Sequence, residues 1–125
     1  MKAVALFLLS QMAFAESYID HNGNINLKFD RQGKFKIMQL TDLHFGENME
    51  ADEKTVEEIQ DMIRKEEPDF VAVTGDIVSG FAWDHYSGEE DFWKHNFAKL
   101  HTILDTEQIP YGIVPGYHDF EADVD

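Results

Sequence analysis

Phe35-Lys36-Ile37-Met38-Gln39-Leu40-Thr41-Asp42-Leu43-His44-Phe45-Gly46 is the stretch that decides how this chain folds. The apolar run from Phe35 to Leu40 reads as a buried strand. It ends in Asp42 and His44, two residues apart, followed by Gly46. Side chains alternate along a strand, so Asp42 and His44 project to the same side if the backbone stays extended. A hard carboxylate oxygen and an imidazole on one side, at the C-terminal end of a strand, suit a divalent metal. Asp-x-His alone is a weak signal, because solvated loops often carry such triplets. Two later stretches repeat the design: Thr74-Gly75-Asp76 and Pro115-Gly116-Tyr117-His118-Asp119.

Helical spacing follows the first stretch. Val56, Ile59, Met62 and Ile63 share a face, Asp52 is placed to cap the start, and Pro68 closes the segment. Phe70-Val71-Ala72-Val73 is a continuous apolar strand that delivers Gly75-Asp76. A second helix opens with the capping pair Ser87 and Glu90 and carries Phe92, Trp93, Phe97, Leu100, Ile103 and Leu104 on one face. His95 and His101 on this helix read as surface residues. Ile109 to Val114 is a third strand, leading to Pro115-Gly116-Tyr117-His118-Asp119. Strand, helix, strand, helix, strand is the order of an α/β fold with a parallel sheet and right-handed crossovers. Sites in such sheets form beyond the carboxyl ends of the strands, and all three polar stretches sit there.

Upstream, Ile25 to Phe29 alternates apolar and polar, and Asp30-Arg31-Gln32-Gly33 reads as a turn. A β-hairpin of Ile25–Phe29 with Lys34–Thr41 is therefore expected before the parallel unit. His21 reads as an exposed loop residue. Residues 1–15 have the form of a secretory signal peptide: Lys2, the apolar run Ala3 to Leu9, and Ala13-Phe14-Ala15. That run is too short for a membrane span. The mature chain, residues 16–125, is then expected outside the cell or in an endomembrane lumen.

A length of 125 residues allows one small domain with a real core. The net charge of −15 argues against binding nucleic acid through a basic face, and against an anionic membrane surface. An acidic protein still binds phosphate where metal ions supply the positive charge. With no cysteine, disulfides and thiolate chemistry are excluded, and a metal must be held by His and carboxylates.

Asp42, His44 and Asp76 are candidate ligands of one metal, and Asp76, after a glycine, of a second. Two metals about 3.5–4 Å apart clamp an in-line displacement at phosphorus, with a metal-bound hydroxide as nucleophile. His118 would either protonate the leaving alcohol or stabilise charge on the phosphoryl oxygens. Asp119, next in sequence, would orient that imidazole.

These residues resemble the calcineurin-like metallophosphoesterase superfamily. Its blocks are Asp-x-His, Gly-Asp, Gly-Asn-His-Asp/Glu, a later His and a closing Gly-His-x-His. Asp42-Leu43-His44 matches the first, Gly75-Asp76 the second, and Gly116-Tyr117-His118-Asp119 the third with one departure. The resemblance runs from about Phe35 to Asp123. It implies Asp42 and His44 as ligands of the first metal, Asp76 as the bridge and His118 as the catalytic histidine. It implies two divalent or mixed-valence ions (iron, zinc or manganese) and a phosphoester substrate. The wording around Leu40-Thr41-Asp42 and Val73 to Gly80 is similar to the purple-acid-phosphatase-like branch. Purple acid phosphatases proper place a Tyr where this chain has Ser79, so an iron–tyrosinate centre is not implied. Tyr117 stands where the family has a metal-binding Asn. A phenol, with a reference pKa near about 10, either ligates as phenolate or swings away.

The later His and Gly-His-x-His do not occur before Asp125. Residues 16–125 are therefore expected to be the N-terminal portion of such a domain, the βαβαβ half of its αββα sandwich, with metal shells too incomplete for efficient hydrolysis. Two other function classes stay open: a truncated or degenerate non-catalytic member, and an extracellular α/β binding module. Trp83 and Tyr86, in the loop after Asp76, would either stack on a substrate ring or cover the sheet edge.

Overall fold

The computed structural model describes residues 17–84 and 91–121, with the side chains of residues 83 and 84 left aside. It opens on an antiparallel hairpin of β1 (Tyr18–Ile19) and β2 (Ile25–Asn26). Asp20 builds the turn. Its carboxylate accepts the backbone amides of Asn22 at 2.8 Å and Asn24 at 2.9 Å, and the Asn24 side-chain amide at 2.9 Å. Those donors, the Asn24 side chain first, hold the Asp20 carboxyl below its ordinary range. The hairpin thus precedes the sheet as expected but lies upstream of the strands named for it. The Asp30 turn does form, with the amides of Gln32 and Lys34 on its carboxylate at 2.7 and 2.8 Å. Its flanks do not pair as a hairpin, because the Lys36 backbone is engaged elsewhere. The Lys36 amide donates to the Asp69 carboxylate, and its carbonyl accepts from Asp69 and Phe70.

Those contacts lead into a parallel sheet of β3 (Ile37–Leu40), β4 (Phe70–Val73) and β5 (Tyr111–Ile113), in the order β3-β4-β5. The register pairs Leu40 with Val73 and Val73 with Ile113, so the three strand ends are level. Helices α1 (Met49–Glu66) and α2 (Phe92–Thr106) make the crossovers. This is the expected α/β, parallel βαβαβ arrangement. Asn48, not Asp52, caps α1: its side chain accepts the Ala51 amide at 2.9 Å. Asp52 is instead buried, because it takes the Gly46 amide at 2.9 Å and the Lys99 ammonium at 2.5 Å.

The core gathers Leu40, Val71 and Val73 from the sheet, Ile59 and Ile63 from α1, and Phe92, Leu100, Ile103 and Leu104 from α2. Each fully buried aliphatic side chain contributes about 1.5–3 kcal/mol. Met62, expected on the apolar face of α1, is exposed, and Val56 lies at the core's edge. Alternation turns Ile37 and Gln39 of β3 away from the core, and Ile37 stays 59 % exposed.

His21, His95 and His101 are exposed as expected. Residues 1–15, Tyr86, Ser87, Glu90 and the Trp83 side chain lie outside what is described. Among the described residues no helix is long and apolar enough to cross a membrane.

Candidate metal centre

Beyond β3 and β4 the backbone does not stay extended. Asp42, His44 and Asp76 all take the left-handed region, with φ of 55°, 49° and 52°. The alternation that would put Asp42 and His44 on one side therefore does not apply. The two strand-end loops run side by side instead. The Asp42 amide donates to Gly75 O and the His44 amide to Asp76 O, both at 3.1 Å, and the Phe45 amide to Ile77 O at 2.9 Å. Left-handed non-glycine residues cost of order 1 kcal/mol or more and concentrate where a loop is built for binding.

The loop after β5 joins from the other side, where His118–Phe120 form a 3₁₀ turn. Two glycines make the crossing possible. A Cβ on Gly75 would lie 2.7 Å from Gly116 Cα, and one on Gly116 would collide with the Asp76 carboxylate and amide. The His118 amide then donates to Asp76 Oδ1 at 2.9 Å. Asp119 is buried and accepts the amides of Val78 at 2.9 Å and Gly116 at 2.7 Å.

His44, Asp76 and His118 are the residues this brings together. One ligand atom from each lies within 4.8 Å of the others. The two imidazole rings have centroids 5.0 Å apart. Three donors bound at about 2.1 Å to one tetrahedral ion lie about 3.4 Å apart, so the widest separation would have to close by up to about 1.4 Å to seat a cation among the three. Two imidazoles and a carboxylate suit zinc, iron or manganese. Asp42 does not belong to this group. It is exposed, and its carboxylate accepts the Thr41 hydroxyl at 2.7 Å. Tyr117 is 76 % exposed, with its ring edge-on to His118 at 5.4 Å.

Asp119, expected to orient His118, makes no hydrogen bond to its ring. Its carboxylate is occupied by two backbone amides, and neighbouring side chains in a 3₁₀ turn point apart. Residues i and i+3 eclipse there, and Glu121 is the partner: His118 Nδ1 lies 2.6 Å from Glu121 Oε2. That hydrogen bond, opposed by burial and helped by the charges of Glu121, Asp76 and Asp42, raises the His118 pKa above its ordinary value. His44 has the same arrangement. Its Nδ1 lies 3.2 Å from Glu47 Oε1 and 3.3 Å from Ser79 Oγ, and the Ser79 hydroxyl donates to Glu47 Oε1 at 2.6 Å. Glu47, Ser79 and Glu121 are not found by looking for strand-end ligands. The usable signal is His-x-x-Glu, which occurs at both His44 and His118.

Residues 35–125 match the family described as calcineurin-like phosphoesterase, and the match covers all three motif stretches. The chain is 29 % identical over 142 aligned positions to "Probable inactive purple acid phosphatase 28" of Arabidopsis thaliana, covering 92 % of this chain and 34 % of that protein. It is 28 % identical to "Probable inactive purple acid phosphatase 14" of the same plant, over 82 % of this chain and 27 % of that one. It is 30 % identical to "Phosphatase DCR2" of Saccharomyces cerevisiae, over 73 % of this chain and 17 % of that one. The chain thus spans about a third or less of the length of these relatives. No solved structure matches it at a significant level.

Proposed function

This chain belongs to the calcineurin-like phosphoesterase family, and we propose that its three strand-end loops carry the metal site of a phosphoester hydrolase. The observation that carries this is the convergence of His44, Asp76 and His118 from loops after three adjacent parallel strands. His44 and Asp76 are the core ligands. Asp76 accepts the His118 amide on one oxygen, which fixes its carboxylate at the site, and it would hold the bound ions (iron, zinc or manganese) together with His44. Asp42 is the next ligand; its exposed carboxylate accepts only the neighbouring Thr41 hydroxyl among the described residues, which leaves it available to an ion. Such ions supply Lewis acidity toward a phosphoryl oxygen, and the positive charge that a chain of net charge −15 otherwise lacks for an anionic substrate.

His118 is the catalytic residue. With Nδ1–H held by Glu121, its other nitrogen carries a proton for the leaving oxygen or the phosphoryl group only in the imidazolium form, which that hydrogen bond favours. Asp119 holds the loop in place, and Tyr117 is an optional ligand from its exposed position.

A non-catalytic member is the second function supported, because Asp42 stands outside the ligand group and Tyr117 replaces an amide ligand. Two relatives also carry "probable inactive" in their names. Metal analysis, with hydrolysis of an aryl phosphate by this chain and by a longer chain that adds the family's later His and Gly-His-x-His, separates the two. Stoichiometric metal that is lost in Asp76→Asn is expected of the hydrolase, and weak metal binding of the non-catalytic member. Turnover that disappears in His118→Ala supports the hydrolase, and no turnover in the longer chain supports the non-catalytic member. No metal binding, or binding indifferent to Asp76, would remove the hydrolase.

A further inference from the structure

We infer that Glu47, with Ser79, is a positioning residue that fixes which nitrogen of His44 is offered to a cation. This rests on His44 being a ligand, as proposed above, but the contacts that carry it are independent of any metal. The tautomer follows from counting protons. Glu47 is a carboxylate and only accepts. Ser79 has a single hydroxyl proton, and the 2.6 Å contact commits it to Glu47 Oε1. The Ser79 oxygen therefore faces His44 with lone pairs only. Both neighbours of His44 Nδ1, at 3.2 Å and 3.3 Å, are acceptors, so the proton of the neutral ring sits on Nδ1. Nε2 is left with its lone pair and no proton, the form an imidazole needs to bind a metal.

The backbone fixes the same arrangement. Ser79 is fully buried, and its amide donates to Phe45 O at 3.0 Å, which holds its hydroxyl beside the left-handed His44. Glu47 reaches in from the loop just before α1, with its side chain 43 % exposed. It can therefore be replaced without opening the core, whereas Ser79 cannot.

The test uses the full chain with Glu47→Ala, Glu47→Gln, and the site controls His44→Ala and Asp76→Asn. Nitrogen NMR of the His44 ring without metal reads the tautomer directly. Wild type is expected in the Nδ1–H form. Glu47→Ala is expected to populate Nε2–H substantially, and Glu47→Gln, whose amide oxygen still accepts, to restore most of the Nδ1–H form. Calorimetry with Zn²⁺ is expected to show about 10–100-fold weaker binding in Glu47→Ala, with partial recovery in Glu47→Gln. An Nδ1–H population unchanged in Glu47→Ala overturns the positioning role, whether or not zinc binds. Zinc affinity unaffected by His44→Ala and Asp76→Asn overturns the metal assignment instead, and the tautomer measurement still decides the role of Glu47.

Discussion

The backbone amide of His118 donates to the Asp76 side chain at 2.9 Å, so one carboxylate both faces the ligand cluster and latches the loop after β5 to the loop after β4. Charge and latch are separable by chemistry. An Asn keeps an oxygen acceptor for the amide and loses the negative charge.

Asp76→Asn is therefore expected to keep the fold and weaken zinc or manganese binding by tenfold or more. Asp76→Ala should lose the metal and also about 1–3 kcal/mol of stability, because the His118 amide is left without its acceptor. Calorimetric metal titration and urea unfolding of both variants check this. Equal stability of the Asn and Ala variants would show that the latch contributes nothing.

Asp119→Ala should destabilise the chain by about 2–4 kcal/mol. It removes the acceptor of two amides, Val78 and Gly116, from a buried position. The His118 ring should titrate almost as in wild type, since Asp119 does not touch it. A large shift of the His118 midpoint without loss of stability would restore the orienting role expected from the sequence.

Glu121→Gln should lower the His118 pKa toward its ordinary value, because the Glu121 hydrogen bond is the largest cause of the rise. The folded-state pKa is raised, so the ion pair stabilises the fold fully below the unfolded-state pKa. That stabilisation is lost as pH rises from the ordinary histidine value through the raised one. In Glu121→Gln this loss with rising pH should shrink. Ring proton NMR across pH, paired with unfolding curves on either side of that window, gives both numbers.

Asp52→Ala should cost about 2–4 kcal/mol, since it strands the Gly46 amide and leaves a Lys99 ammonium, only 19 % exposed, with Asn96 but no carboxylate. Arg64→Ala, which breaks the Arg64–Glu107 pair with Arg64 58 % exposed, should cost no more than about 1 kcal/mol from the ion pair. Urea midpoints rank the two. A larger loss at Arg64 would contradict the placement of Asp52 at the junction of α1, α2 and the His44 loop.

The three strands and two helices were legible because local pattern and tertiary demand agree there: Phe70 to Val73 is apolar throughout, and Phe92, Leu100, Ile103 and Leu104 do share a buried face. The α1 cap was misplaced because Asp52 has the right chemistry and the wrong neighbours. Lys99, 47 residues away, claims it, and Asn48 caps instead. His44, Asp76 and His118 were legible from residue type and position at strand ends. The left-handed backbone at Asp42 and His44 was not, since it depends on amides donated to the neighbouring loop. The same limit hid Glu121. Nothing in Gly116-Tyr117-His118-Asp119 says that the segment winds as a 3₁₀ turn, and only that winding exchanges Asp119 for Glu121 beside the ring.

The links that tie the β5 loop to the β4 loop join residues 42 and 41 apart in sequence. Helix α1 and the Asp20 hairpin need only local contacts and form early on the folding clock. The His118 loop must wait for the α2 crossover to close, so its contacts belong to the slow, non-local phase. An intermediate with helix and sheet in place but no latch would look folded by circular dichroism and would not capture zinc. In a stopped-flow refolding experiment, cation uptake should therefore lag the helical signal and time the last event in folding.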